Sequence, residues 1–317
     1  MPERPKTRLP GAGSRRSALA ARITRAALAH GRRQAKAIVV QRRRAVGAKG
    51  PKGLSGLVVA EGDSWFDYPF YDVLERLEDR FDFRVESVAH KGDTVEEMAH
   101  DLTQRTRLAR MFERAAADGR VPRAILLSGG GNDIAGDEFA LLLNHAAAAP
   151  PLAEINDGIV SGLVDERLRF AMVSVIGAVT TLSVTYFRRK VPVVLHGYGY
   201  PVPDGRGYRG GFWALPGPWL EPGFRQKGYL DAAERNVDLP RCTAIMKRLI
   251  DRFNAMLRTI PGPPDMRHVS YLDLRSLLSN AVPGYEQSWE NELHPTKPGF
   301  EAVALAFRDR ILSFPEP

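Results

Sequence analysis

Five short apolar runs, spaced through the chain and separated by segments of helical character, set the strongest limit on how this sequence folds. They read "GLVVAEG" (56–62), "FRVESVAH" (83–90), "RAILLSG" (123–129), "VPVVLHGYG" (191–199) and "HVSYLDL" (268–274). Their aliphatic and β-branched content, punctuated by Gly or Pro, suits strands buried on both faces. Candidate helices lie between and after them at about 70–80, 93–118, 136–148, 158–189, 237–259 and 297–313. Strands alternating with helices predict an α/β fold with a mainly parallel sheet and right-handed crossovers. In such a sheet the ligand site lies beyond the carboxyl ends of the strands.

Two segments depart from this rhythm. Residues 199–231, "GYPVPDGRGYRGGFWALPGPWLEPGFRQKGYLD", are rich in Gly, Pro and aromatics with no sustained period. A loop of this length is expected to be a lid or binding loop, with Trp213, Trp219 and Phe224 available to wall a pocket. "FAMVSVIGAVTTLSVTYF" (170–187) runs 18 residues without a charge, at the lower limit for a membrane span. Its five Ser or Thr and the helical lead-in "GIVSGLVDERLRF" favour a long helix packed inside the protein, so no membrane span is expected.

Charge divides the chain at about residue 52. Residues 1–52 hold 15 Lys or Arg against one acid, net +14, while the rest hold 30 basic and 36 acidic residues, net −6. The expected organisation is therefore a basic extension (1–52) on a mildly acidic main domain (53–317). The extension has a basic helix predicted from about Ser17 to Arg44. Arginines interrupt every apolar run in it, so it does not read as a secretory signal. A cytoplasmic location is expected, with an organelle transit peptide as the alternative. Cationic asymmetry of this kind points either to a nucleic acid or anionic surface, or to a solvated tail. The single Cys242 excludes an intramolecular disulfide and a Cys-rich zinc site. No metal site and no cofactor are expected.

The ends of the predicted strands carry complementary chemistry. The first ends in Gly62-Asp63-Ser64; the second is followed by "HKGDT" with Gly92; the third ends in "SGGGNDIAG" with Asn132. Near the C-terminus "SWENELHPTKPGF" places His294 just before the last helix. A serine hydroxyl attacks a carbonyl when a base takes its proton, and histidine has the pKa for that work. The resulting oxyanion needs fixed donors, which the Asn132 amide and the N–H groups of Gly92 and Ser64 can supply. No G-x-S-x-G occurs, so an α/β-hydrolase nucleophile elbow is absent. His196 at a strand end is read as a structural histidine, Asp133 as a helix cap or loop anchor, and Asp63 as support for the turn.

"GDSW", the glycine of "KGDT", "GGND" and "NELHP", in this order, resemble the successive blocks of the SGNH hydrolases, also known as GDSL-type esterases and lipases. The resemblance covers about residues 56–313. It implies a flavodoxin-like three-layer α/β/α sandwich with a five-stranded sheet. It also implies Ser64 as nucleophile, Gly92 and Asn132 completing the oxyanion hole, and His294 as general base. One position departs from the family pattern: Asn291 stands three residues before the histidine, where the family places an Asp. Asn291 orienting the ring is the expected arrangement; Glu290 or Glu292 substituting for the Asp, or a backbone carbonyl serving a Ser-His dyad, are the alternatives. The function expected is hydrolysis of a small-molecule or lipid carboxylic ester through an acyl-enzyme on Ser64. A non-catalytic binding protein on the same scaffold and a nucleic-acid-associated protein acting through its basic arm are the rival readings.

Overall fold

The structure, a computed structural model, describes residues 12–42, 55–136, 138–208 and 216–317. Five parallel strands, β1 (Leu57–Glu61), β2 (Arg84–Ser87), β3 (Ala124–Leu127), β4 (Val193–His196) and β5 (Val269–Leu272), form one sheet in the order β2-β1-β3-β4-β5. All five coincide with the apolar runs of the sequence. The three central strands are buried throughout, whereas the edge strands β2 and β5 are largely half-exposed. Strands covered on both faces cannot alternate polar and apolar residues, which is why the inner ones read as continuous apolar runs.

Among the described residues the sheet is accompanied by α1 (Ala12–Arg42), α2 (Val73–Phe81), α3 (Val95–His100), α4 (Leu102–Ala117), α5 (Gly131–Ile134), α6 (Asp157–Val160), α7 (Arg169–Phe187), α8 (Glu221–Gln226), α9 (Leu239–Arg258) and α10 (Lys297–Leu312). A π-helical stretch, Ser161–Leu168, joins α6 to α7. α2 packs on α10, while α1, α3, α4 and α7 pack together as a second layer, giving a three-layer α/β/α arrangement. The chain leaves β1 towards β2 on one side and returns through β3 on the other, so the topological switch point lies between β1 and β3. In open α/β sheets, that crevice is where ligands bind.

Three expectations need correction. The stretch at 93–118 is two helices, because Asp101 takes an extended conformation (ψ 124°) and caps α4 through the Gln104 N–H at 2.7 Å. The stretch at 136–148 is two 3-10 turns, Phe139–Leu142 and Ala146–Ala148, not a helix. Asn144 N–H donates to Glu154 O and Asn156 N–H to Leu142 O, pairing this stretch with residues 154–156 at the expense of helical bonds. The loop at 199–231 contains the short helix α8, and residue 230 pairs with Val237 in an antiparallel bridge. Residues 209–215, Trp213 among them, lie outside the described residues.

α7 is apolar on nearly every side and buried for most of its length, as a helix with no polar face must be. The span Asp157–Phe187 is long and apolar enough to cross a membrane, yet two thirds of its most apolar window is buried inside the protein. Much of that cover comes from α1, which packs along α7. Approach is close: a Cβ on Gly31 would lie 2.0 Å from Ser174 O, and one on Gly177 would lie 3.0 Å from Leu28 O. Ser174 Oγ donates to Ala27 O at 3.2 Å across the same contact. Arg22, Arg25, Arg33 and Lys36 face solvent on the other side of α1. Residues 1–11 and 43–54 of the basic extension lie outside the described residues.

Candidate active site

Ser64 follows β1 on a turn closed by Phe66 N–H to Asp63 O at 3.0 Å. Asp63 does more than hold this turn. Its buried carboxylate accepts the Trp65 N–H at 3.0 Å, the Ser128 hydroxyl at 2.7 Å and the Tyr198 hydroxyl. The turn after β1 is thereby tied to the ends of β3 and β4. A buried carboxylate that collects several donors offsets its desolvation through those bonds.

Although 230 residues away in sequence, His294 meets Ser64 directly, with Nε2 2.7 Å from Oγ. Its other nitrogen, Nδ1, lies 3.0 Å from Asn291 Oδ1. The same amide oxygen accepts the backbone N–H groups of Leu293 at 3.0 Å and His294 at 2.9 Å, while Asn291 Nδ2 donates to the Tyr68 hydroxyl at 3.0 Å. Two backbone donors therefore fix which end of the amide faces the ring. An acceptor at Nδ1 requires the proton to sit there, leaving the Nε2 lone pair directed at the serine hydroxyl. In a Ser-His-Asp triad, replacing Asp by Asn costs about 10⁴ in kcat, in part by selecting the wrong tautomer. Here two backbone N–H groups hold Asn291 Oδ1 towards Nδ1, the arrangement that favours the Nδ1–H tautomer.

The missing charge has a visible consequence. His294 is buried, and desolvation lowers its pKa to about 3, with no carboxylate against the ring to oppose it. The imidazole stacks on Tyr68, with ring centroids 4.3 Å apart, and meets the edge of Trp219 at 5.6 Å.

Neither glutamate beside Asn291 orients the ring. Glu290 accepts the Tyr71 hydroxyl. Glu292 is fully buried, and its carboxylate gathers the N–H groups of Gly205 (3.1 Å), Trp219 (2.6 Å), Leu220 (2.7 Å) and Glu221 (2.9 Å). Burial pushes its pKa up to about 7, against the pull of those four N–H groups. Glu292 thus anchors both flanks of the 199–231 loop to the histidine segment. Of the loop's aromatics, Tyr208 and Trp219 wall the site. Phe224 instead packs on Phe139 and Tyr229, within the core.

The loop after β2 brings Gly92 to the same place. His90 N–H donates to Gly62 O at 3.0 Å and Lys91 N–H to Asp67 Oδ2 at 3.0 Å, holding this loop against the Ser64 turn. Gly92 has φ +90°, a conformation that favours glycine, and nothing lies near where its Cβ would be. From the end of β3, Asn132 Nδ2 donates to Asp93 O at 2.9 Å, which leaves the second hydrogen of that nitrogen for another acceptor. The backbone N–H groups of Ser64 and Gly92 make no hydrogen bond to another described residue. Asp133 accepts the Val95 N–H at 2.9 Å, so it caps α3, which precedes it in the chain, and links the Asn132 turn to the Gly92 loop.

Beneath that loop lies a polar group the sequence reading passed over. Glu61, in β1, accepts from Gln104 Nε2 at 3.0 Å, and the same nitrogen donates to Asp93 at 2.6 Å. Burial raises the Glu61 pKa to about 8, so it carries a proton at neutral pH. An acid inside an otherwise apolar strand was the signal available for it. His196 is structural, as expected. Its Nδ1 lies 2.8 Å from Gly197 O, its Nε2 has no hydrogen-bond partner among the described residues, and it sits among Trp65, Phe66, Tyr198 and Phe307.

Ser64, Gly92, Asn132 and His294 together line a cleft of about 510 Å³, with Tyr68, Lys91, Tyr208 and Trp219 among its other walls. All four residues singled out for serine chemistry therefore share one hollow, with Asn291 directly behind the histidine.

No family model and no curated protein matches this sequence. Solved structures similar to it include a lipase from a goat rumen metagenome (13% identity, TM-score 0.45), covering 80% of this chain and 97% of that one. A putative GDSL-like lipase from Parabacteroides merdae matches at 13% identity and TM-score 0.44, covering 83% and 99%. A putative SGNH hydrolase from Slackia heliotrinireducens matches at 11% identity and TM-score 0.42, covering 81% and 98%. At such identities and superpositions the activities of those proteins are not carried over to this chain.

Proposed function

We propose that this chain is a serine ester hydrolase of the SGNH type, acting through an acyl-enzyme on Ser64. The observation that carries this reading is the run of contacts from Ser64 through His294 to an Asn291 amide whose orientation the backbone fixes. As Ser64 Oγ attacks the carbonyl carbon, its proton passes to His294 Nε2. Charge develops on the carbonyl oxygen, facing the Ser64 and Gly92 N–H groups and the Asn132 amide, donors that need no reorganisation at that moment. Collapse breaks the ester C–O bond, and His294 returns the proton to the leaving alkoxide. A water that gives its proton to His294 then attacks the acyl-enzyme and frees the acid. The imidazolium formed in each half has no carboxylate beside it, so its stabilisation falls to the oxyanion opposite and to the neutral Asn291 acceptor. The rival reading, a binding protein without catalysis, expects no hydrolysis that depends on Ser64.

The test is hydrolysis of p-nitrophenyl acetate by the wild type and by Ser64→Ala. Loss of at least about 10³ in kcat with the variant is expected; equal rates in the two proteins would sink the assignment.

A second role is proposed for α1. With one side on α7, it offers Arg22, Arg25, Arg33 and Lys36 to solvent, a cationic strip suited to an anionic polymer such as nucleic acid. Binding to a duplex oligonucleotide should weaken steeply between 50 and 200 mM salt. It should also weaken on replacing these four residues by Gln. Salt-insensitive binding, or none at low salt, would remove this role.

A further inference from the structure

Two hollows open on Ser64, and the difference between their walls matters for ester cleavage. One is the cleft of about 510 Å³, which holds both Ser64 and His294. The other measures about 40 Å³ and shares Ser64 and Asn132 with the cleft, but His294 is not part of its wall. Ile134, Leu220, Met246, Ile250 and Trp289 are among the residues that line it. We infer that the small hollow is the acyl pocket and the cleft the alcohol site, so that the preferred substrates are short-chain esters, acetyl or propionyl, of much bulkier alcohols. This assignment rests on the esterase reading above.

Proton bookkeeping decides which hollow takes which half of the ester. When the tetrahedral intermediate collapses, the ester C–O bond breaks and the alkoxide takes the proton held on His294 Nε2. The alcohol oxygen must then lie on the histidine side, in the cleft. The acyl group stays bonded to Ser64 Oγ, and with the carbonyl oxygen turned to the Gly92 and Asn132 donors, its chain points away from His294. The small hollow is the space on that side that Ser64 and Asn132 both line.

Size then sets the chain length. A water-sized group needs roughly 10–15 Å³ of this kind of volume, so about 40 Å³ holds roughly three such groups. The walls cannot easily yield. Leu220, Met246 and Trp289 are almost wholly buried, and Met246 and Ile250 stand one turn apart on α9, whose inner face is core. Close-packed interiors of this kind resist even one added methylene.

The experiment compares p-nitrophenyl acetate, propionate, hexanoate and octanoate, each rate corrected for that ester's hydroxide-catalysed hydrolysis and for the Ser64→Ala background. The leaving group is constant, so only the acyl pocket is varied. Wild-type kcat/KM is expected to fall at least tenfold between propionate and hexanoate. Met246→Ala, and separately Ile250→Ala, should each raise the hexanoate-to-acetate ratio at least fivefold. Ser64-dependent hydrolysis that favours hexanoate or octanoate would overturn the pocket assignment and leave the esterase standing. So would an unchanged ratio in both variants, with their circular dichroism native. Absence of Ser64-dependent hydrolysis for all four esters would remove the esterase reading and the pocket assignment together.

Discussion

The Ser64–His294 edge and the α1–α7 contact are held together by opposite means. At the catalytic edge, buried carboxylates act as hubs: Asp63 gathers three donors and Glu292 four, and between them they tie the β1, β3 and β4 ends and the long loop to the histidine segment. Along α1–α7 the close contact is built, among the described residues, from small side chains. Gly31, Gly177, Ala27 and Ser174 let the two backbones come close enough for dispersion and one hydroxyl bond to hold them. The first design fixes positions to within a hydrogen bond's tolerance, which the proposed serine chemistry needs. The second asks only for shape, which suffices for a helix that covers an apolar neighbour. Catalysis and stability should therefore separate when each region is damaged.

The largest effect is expected at the hub. Glu292→Ala strips an acceptor from four N–H groups, at about 1–3 kcal/mol for each left buried and unpaired. A loss of at least about 3 kcal/mol in urea unfolding is expected, along with a drop in kcat/KM, because Trp219 and the loop flanks move with it. An unchanged midpoint would show that water replaces the carboxylate without cost. Smaller, and purely structural, is Gly31→Val, whose side chain must displace α7 backbone. It should cost about 1–3 kcal/mol as overpacking while kcat on p-nitrophenyl acetate stays within twofold of wild type. A matching fall in kcat would show that the two regions are coupled and break the comparison.

The subtlest change concerns pH. With its pKa lowered to about 3 by burial, His294 is neutral throughout the range from pH 5 to 8, so kcat/KM should show no histidine limb there. Asn291→Asp puts a negative charge beside Nδ1, which raises the pKa and should bring an acidic limb into that window. A wild-type limb near pH 6.5 that persists in Glu292→Gln, where the carboxyl of pKa about 7 is gone, would contradict the depressed value. The same depression has a stability consequence. Below about pH 6.5 the unfolded chain protonates this histidine while the native chain does not, so stability falls as pH drops from there towards 3. Asn291→Asp should soften that fall, measurable as the change in urea midpoint between pH 7 and 5.

Much of this was legible in the sequence, for reasons that differ by element. The five strands were readable because their apolar runs are short and bounded by turn residues. Ser64, Gly92, Asn132 and His294 were readable because each stands at a strand end or helix entry. Asn291 was readable as a residue to face His294, though not how its amide is held, since the donors to its oxygen are backbone groups that no side-chain pattern displays. "ALLLNHAAAA" looked helical by propensity, but pairing with residues 154–156 overrides it. Glu292 could be seen as an acid near His294, yet its four partners come from residues 205–221 and were invisible as such. Tyr68, Tyr198 and Gln104 were missed outright. Each acts across a gap in sequence, and nothing local marks a tyrosine or glutamine as a partner of a distant carboxylate or amide.

The position of β1 between β2 and β3, with the histidine segment supplied from the far end of the chain, also bears on folding. Ser64 directly follows the first strand made, and His294 lies in the segment before the last described helix, 230 residues later. Closing so long a separation is slow and comes after local structure has formed. Ester hydrolysis should thus be among the last native properties regained on refolding, appearing only after far-ultraviolet dichroism has largely returned. Among ribosome-bound nascent chains, none that ends before α10 should possess it.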